Sequence, residues 1–167
     1  MEETQLTIKK DELVFYRHWT TPVVQPRRFS TYFFFAEAPT KEVQIDDSEI
    51  KEHLWLSPEK ALEKFKAREL GMLPPTMMSL QLIRKCNTVQ EAKELLIGEK
   101  PISVLPVLKA IGGKMLCLYE GDAEYDETKI TKKAAKHRLT IDMTKGEFHF
   151  EFENCEGVHP VNGGMHI

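Results

Sequence analysis

Two adjacent arginines, Arg27 and Arg28, are the side chains of this sequence best suited to bind a charged ligand. They lie between Pro26 and Phe29, at the start of an aromatic segment. A guanidinium group can bind phosphate or carboxylate through two parallel hydrogen bonds, so the pair is a candidate anion site. The alternative is structural, with an arginine stacking on Trp19 or Phe29 and pairing with a nearby carboxylate. The residues alone leave both interpretations open.

A second group of potential ligands lies near the C-terminal end, where His149, Cys155, His159 and His166 fall within one short stretch. Their spacing matches no closed zinc motif, and His149 falls on the polar face of a predicted strand. We therefore expect no metal site there and a solvated tail. The chain also lacks a complete phosphate-binding loop and the Gly-x-Ser-x-Gly pattern of a nucleophile elbow. Gly112-Gly113-Lys114 predicts only a turn.

Composition limits the classes of partner. The 167 residues (19.3 kDa) include 23 Lys and Arg against 26 Asp and Glu, which gives a net charge of −3. This balance disfavours a nucleic-acid polymer as partner, because such binders usually carry a basic face. The three cysteines, Cys86, Cys117 and Cys155, are typical of a reduced compartment, and no apolar run could span a membrane. We expect a cytoplasmic protein with no membrane partner.

Two strands are predicted around the arginines. Residues 30–38 are rich in aromatic and β-branched side chains, which predicts a strand with both faces largely covered. The loop of residues 20–28 precedes it and contains two prolines. Residues 49–56 predict a second strand that ends in Leu54-Trp55-Leu56, with Trp55 in the core. A loop that leads into a buried strand is a favourable place for a binding site.

Helix signals follow. Ser57-Pro58-Glu59 supplies an N-cap hydroxyl, a proline at the first helical position and an acid in the first turn, which predicts a helix over 58–67. A second helix is expected over 75–86. The pattern Thr88-Val-Gln-Glu91 fits a capping box and predicts a third short helix.

The C-terminal part returns to strands. Residues 114–119 predict one strand, and residues 139–152 predict a β-hairpin, because apolar and polar side chains alternate on both sides of Thr144-Lys-Gly146. We expect an α+β fold, an incomplete mixed β-sheet with packed helices and a C-terminal hairpin extension. Residues 154–167 are expected to form a loose tail.

Several segments in this order resemble one family. They are Trp19-Thr-Thr-Pro22, Pro26-Arg-Arg-Phe-Ser-Thr31 with Phe33-Phe34, Glu49-x-x-Glu52-x-x-Trp55-x-Ser57-Pro58-x-x-Ala61-Leu62, and Leu73-Pro-Pro-Thr76. They resemble the part of Nudix hydrolases of the coenzyme A diphosphatase type that follows the catalytic helix. Gly121-Asp122 and His137-Arg138-Leu139 resemble the C-terminal region of the same group. One departure is Ser30, where the family favours aspartate.

The larger departure concerns the catalytic motif. Nudix hydrolases carry Gly-x5-Glu-x7-Arg-Glu-U-x-Glu-Glu-x-Gly-U, in which U is aliphatic and the glutamates share one helix face. There they hold the divalent cations that polarise the pyrophosphate and activate water. The 167 residues contain no such pattern, and their only Glu-Glu pair is Glu2-Glu3. The resemblance implies Mg²⁺ or Mn²⁺ as cofactor, but its ligand motif is missing from this sequence.

The resemblance sets the expected function. It implies a pyrophosphohydrolase-like protein for coenzyme A or a nucleoside diphosphate derivative, inactive alone or truncated, with Arg27 and Arg28 holding phosphates and Phe29 packing beneath. Glu49 and Glu52 match positions where the family often carries acids, and Glu52 could line a metal site, although solvent-facing roles as partners of Lys51 or Arg27 fit both better. The expected organisation is the second half of a Nudix-like domain over 1–100, a β-rich extension over 101–153 and a flexible tail over 154–167. The alternative is a non-catalytic module whose exposed sheet edges pair with another chain or with a second copy of itself, as a homodimer.

Overall fold

A three-stranded mixed sheet forms one half of the fold. The computed structural model describes residues 10–38, 45, 48, 50–126, 134–142, 144–155 and 157–162. After a short 3-10 turn, strands β1 (Val14–Thr20) and β2 (Ser30–Phe35) pair antiparallel, and β3 (Ile102–Val104) adds to β1 in parallel. The strand order is therefore β2-β1-β3. This order places the turn between β1 and β2, which carries the two arginines, at one end of the sheet.

A four-stranded antiparallel sheet forms the other half. Its order is β4-β5-β6-β7, so each strand pairs with its neighbour in sequence. Glycines with positive φ close two of its turns, Gly112 and Gly113 between β4 and β5 and Gly146 between β6 and β7. Such backbone angles suit glycine because it has no Cβ. The strands are β4 (Val107–Ile111), β5 (Lys114–Leu118), β6 (Lys136–Asp142) and β7 (Glu147–Glu153).

In the described part of the chain, three helices lie between β2 and β3 in sequence: α1 (Pro58–Lys66), α2 (Pro74–Ile83) and α3 (Val89–Gly98). The Ser57 side chain accepts a hydrogen bond from the Lys60 N–H, as its N-cap position predicts. Thr88 accepts from the Glu91 N–H at 3.1 Å, while the Glu91 carboxylate accepts from the Asn87 N–H at 2.7 Å. In the predicted capping box the Glu91 carboxylate would accept from the Thr88 N–H. Here it accepts instead from the N–H of Asn87, the residue before the cap.

One large apolar cluster joins the two sheets. It includes Trp19 of β1, Met77 and Met78 of α2, and Leu139 and Ile141 of β6, all buried. Burial of this apolar surface is the main favourable contribution to folding. The α+β prediction is confirmed, as is the C-terminal hairpin. No helix in the described residues is long and apolar enough to cross a membrane.

The structure corrects several sequence-based expectations. Residues 51–56 form neither helix nor strand, so the strand predicted over 49–56 is wrong for the part that the structure describes. Trp55, expected in the core, is 68% exposed. Strand β2 lies at the edge of its sheet, and Tyr32 and Phe34 are 59% and 52% exposed, so only one of its faces is covered. Aromatic content alone does not distinguish an edge strand from a central one.

Two further differences concern the ends of the chain. Strand β1 was not predicted, because it places a buried arginine, Arg17, among its apolar residues and contains a bulge between Phe15 and Arg17. In the segment expected to be loose, Val161 and Asn162 are buried. The Arg17 Nε donates to the Val161 carbonyl at 3.4 Å, and the Val161 N–H donates to His137 Nε2 at 3.2 Å. These bonds fasten residues 157–162 to both sheets.

Candidate functional site

The turn between β1 and β2 is closed by a pair of short hydrogen bonds. The Thr21 N–H donates to the Phe29 carbonyl at 2.9 Å, and the Phe29 N–H donates to Thr21 Oγ1 at the same distance. The Gln25 N–H donates to the Pro22 carbonyl at 3.1 Å within the turn. These contacts fix the backbone on both sides of Arg27 and Arg28, so the position of the arginines is set by the turn.

The two arginines have different environments. The guanidinium carbon of Arg27 lies 5.0 Å from the centre of the Phe29 ring, a cation–π distance. Arg28 Nε instead donates to the Thr21 carbonyl at 3.0 Å. This contact is the stacking part of the structural alternative, and it equally places the phenylalanine beneath Arg27 that the ligand-binding interpretation expects. A guanidinium stacked by its face keeps its N–H groups at the edge, where they can still bind an anion.

A cavity of about 540 Å³ opens beside this turn. Its walls come from four parts of the chain: the turn after β1, strand β2, the start of α2, and strands β4 and β5 with Pro106 before them. Most of the wall is apolar, and Arg27 is the single formally charged residue among those that line it. The lining residues are Trp19, Thr20, Thr21, Pro22, Gln25, Arg27, Phe29, Thr31, Phe33, Leu73, Pro74, Pro75, Thr76, Pro106, Leu108, Met115 and Cys117.

The cavity brings together segments that are far apart in sequence. Three of the segments singled out by resemblance line it: Trp19-Thr-Thr-Pro22, the segment containing Arg27 and Phe29, and Leu73-Pro-Pro-Thr76. Of the residues expected to bind substrate, Arg27 and Phe29 therefore reach one cavity. Arg28 is not among the residues that line it.

The segment with the acidic candidates is not part of the cavity. Glu52 and Trp55 are exposed and do not line it, and Glu49 and the Glu2-Glu3 pair lie outside the described residues. Within the described part of the chain, no three His, Cys, Asp or Glu side chains group closely enough to hold a metal ion. The described residues therefore do not fit the Mg²⁺ or Mn²⁺ that the resemblance implies.

Sequence reasoning missed the wall that the second sheet contributes. Leu108, Met115 and Cys117 face the cavity from β4 and β5. In the sequence these strands show only as a short apolar run. Such a run predicts a core strand but does not indicate which cavity the strand lines. Burial raises the pKa of the Cys117 thiol to about 12, so this cysteine is un-ionised at neutral pH. It contributes an apolar surface and no nucleophile.

The cavity is thus a largely apolar recess with one cationic side chain, Arg27, in its wall. A volume of this size lies within the range of about 300–1,000 Å³ that is usual for small-molecule sites. The recess can bury an apolar or ring-shaped part of a ligand while Arg27 binds an attached anionic group. This geometry supports the binding and orientation of such a ligand.

Comparisons with known proteins point to one family. The chain is similar to a Caenorhabditis elegans protein named as nudix hydrolase 7, with 25% identity over 150 residues that cover 86% of this chain and 50% of that protein. It is also similar to the acyl-coenzyme A diphosphatase NUDT19 of Gallus gallus, with 36% identity over 76 residues, 42% of this chain and 20% of that protein. The corresponding Xenopus laevis protein shares 29% identity over 86 residues, 48% of this chain and 23% of that protein.

The extent of the similarity is limited. The chain spans half the length of the C. elegans relative and less of the other two. No protein-family model matches the chain. No solved structure matches it either. The sequence relatives named above are Nudix hydrolases and acyl-coenzyme A diphosphatases, and they support a relationship of this chain to the Nudix family.

Proposed function

We propose that this chain forms the substrate-binding part of a Nudix-type pyrophosphohydrolase and binds coenzyme A or a related nucleoside diphosphate derivative. The observation that carries the proposal is the convergence of three separate segments on one cavity that Arg27 also lines. These are the segments that resemble the coenzyme A diphosphatases. The names of the two vertebrate relatives favour an acyl-coenzyme A ligand.

The proposed mode of binding follows from the chemistry of the walls. A phosphate of the ligand is held by Arg27, whose guanidinium is oriented by the Phe29 ring. The organic part of the ligand packs against Phe33, Leu73 and Met115 inside the recess. Because the Thr21–Phe29 hydrogen bonds already fix the turn, little ordering of this loop accompanies binding.

We further propose that the isolated chain binds this ligand without hydrolysing it. Cleavage of a pyrophosphate by this family uses divalent cations held by the glutamates of the catalytic motif, and the 167 residues contain no such motif. The described side chains offer no replacement cluster. No catalytic step is assigned to any residue of this chain.

The binding proposal is tested by calorimetric titration of the purified chain with coenzyme A. Substitution Arg27→Ala removes a charge-assisted hydrogen bond from an exposed cation, so the dissociation constant should rise about tenfold. Arg28→Ala is the matched control: it removes the same charge from the neighbouring residue, which does not line the cavity. An unchanged affinity in Arg27→Ala would return Arg27 to a structural role.

Hydrolysis is tested separately. The chain is incubated with coenzyme A and Mg²⁺ or Mn²⁺, and 4′-phosphopantetheine is measured by mass spectrometry. The expected result is no product above a protein-free control. Turnover by the isolated chain would overturn the proposal that it lacks a catalytic metal site, and it would leave the binding proposal intact.

A further inference from the structure

The outer edge of β2 is an unprotected strand edge. Strand β2 pairs with β1 on one side, and in the described part of the chain no strand pairs with its other side. Its sequence Ser30-Thr-Tyr-Phe-Phe-Phe35 contains no charged residue and no proline, and the bulge of this strand pair belongs to β1. Proteins usually guard exposed edges with lysine, proline or bulges on the edge strand itself. The absence of these features favours pairing of β2 with another strand.

The sheet face beside this edge is also apolar and exposed. Phe15 contacts Tyr32 and Phe34 at ring-centre distances of 5.7 and 5.6 Å, and His18 stacks on Tyr32 at 4.5 Å. Tyr32 and Phe34 are each more than half exposed. Contiguous exposed aromatic surface of this kind is typical of interaction sites. An added strand would extend this aromatic face sideways.

The charges that flank β2 indicate which strand it pairs with. Arg27 and Arg28 precede the strand, and Glu37 follows it by two residues. When two copies of β2 pair antiparallel about a twofold axis, residues directly opposite each other point to the same face of the sheet. The numbers of two opposite residues are therefore both even or both odd. With Tyr32 on the axis, Glu37 of one copy lies opposite Arg27 of the other. Because of the twofold symmetry, this contact occurs twice in the dimer.

We propose that β2 pairs with β2 of a second copy of this chain and joins the two three-stranded sheets into one six-stranded sheet. The basic and acidic ends of the strand are complementary only in the antiparallel arrangement, because parallel pairing would place like charges side by side. The contact is isologous, so it closes at two copies and does not continue into a fibre. This proposal does not depend on the ligand of the cavity.

Sedimentation equilibrium of the purified chain tests the interface. The chain should show a monomer–dimer equilibrium. Glu37→Arg should raise the dimer dissociation constant about tenfold, because it replaces two exposed attractive pairs by repulsion. The charge-reversed double variant Arg27→Glu/Glu37→Arg should restore dimerisation. Trp55→Lys is the control, since it alters an exposed aromatic residue that is not part of β2.

Each outcome decides the proposal. Rescue by the double variant would support it, and a dimer that Phe34→Lys also weakens would place the aromatic face beside the interface. A monomer at the highest soluble concentration would overturn it. A dimer that neither Glu37→Arg nor Phe34→Lys changes would overturn it as well, because the interface would then lie elsewhere. Circular dichroism of every variant establishes that each is folded.

Discussion

The buried carboxylate of Asp122 should contribute strongly to the stability of the fold. Its side chain is 0% exposed and accepts four hydrogen bonds. Two come from Arg138, at 2.7 Å from Nε and 2.6 Å from Nη2. The other two come from the backbone N–H groups of Glu124 and His137, each at 2.9 Å. The turn after β5 and strand β6 are joined through this one group.

The size of the effect follows from this geometry. Asp122→Ala would leave a largely buried guanidinium and two backbone donors without their acceptor, and loss of one partner of a buried ion pair costs about 3–5 kcal/mol. Glu124 also pairs with Arg138, at 3.0 Å, but it is exposed. Glu124→Ala should therefore cost less than about 1 kcal/mol. Each substitution removes one carboxylate that pairs with Arg138, so the two variants lose the same formal charge.

Urea unfolding at neutral pH, followed by circular dichroism, measures both variants against the unmodified chain. Because domains of this size have unfolding free energies of about 5–15 kcal/mol, Asp122→Ala removes a large part of the total. Asp122→Asn gives a milder second variant, since its amide keeps one acceptor oxygen. A cost for Asp122→Ala no larger than that of Glu124→Ala would refute the assignment of Asp122 as the organising acceptor.

Two further predictions concern acid sensitivity and a turn. Burial lowers the pKa of His137 from 6.5 to about 4, so the unfolded chain binds more protons between these values, and stability should fall by about 3 kcal/mol as pH drops from 6.5 to 4. Urea midpoints measured over this pH range for the unmodified chain and for His137→Gln test this prediction. An equal dependence of the midpoint on pH in the two proteins would contradict it. Gly146→Ala should destabilise by about 1–3 kcal/mol, since Gly146 has a φ of +69° and an added Cβ would lie 2.9 Å from the Lys66 carbonyl oxygen. Gly98→Ala, in open space at the end of α3, is its control in thermal melts and should not destabilise the chain.

Local signals predicted the elements that depend on local chemistry. Ser57-Pro58 marks the start of α1 because the cap hydroxyl and the proline ring act within one turn. The hairpin of β6 and β7 follows from the alternation of apolar and polar side chains around Gly146. Such features need no knowledge of the rest of the fold.

Features that depend on tertiary neighbours were not predictable in the same way. Arg17 appears in the sequence as a surface residue, yet it is buried, because Glu99 lies 3.4 Å away and two backbone carbonyls accept its other hydrogen bonds. Trp55 appears as a core residue but is exposed. The candidate cavity combines both cases: resemblance indicated Arg27 and Phe29, while the contribution of β4 and β5 depended on how the two sheets pack.

The central claim is that a diphosphate ligand occupies the cavity beside Arg27, and tryptophan fluorescence tests it most directly. The chain has two tryptophans, of which Trp19 lines the cavity and Trp55 is exposed. In a Trp55→Phe variant, titration with coenzyme A should give a saturable change in Trp19 emission, with a dissociation constant that Arg27→Ala raises about tenfold. Binding detected by calorimetry without any change in Trp19 emission would place the ligand elsewhere and contradict the account.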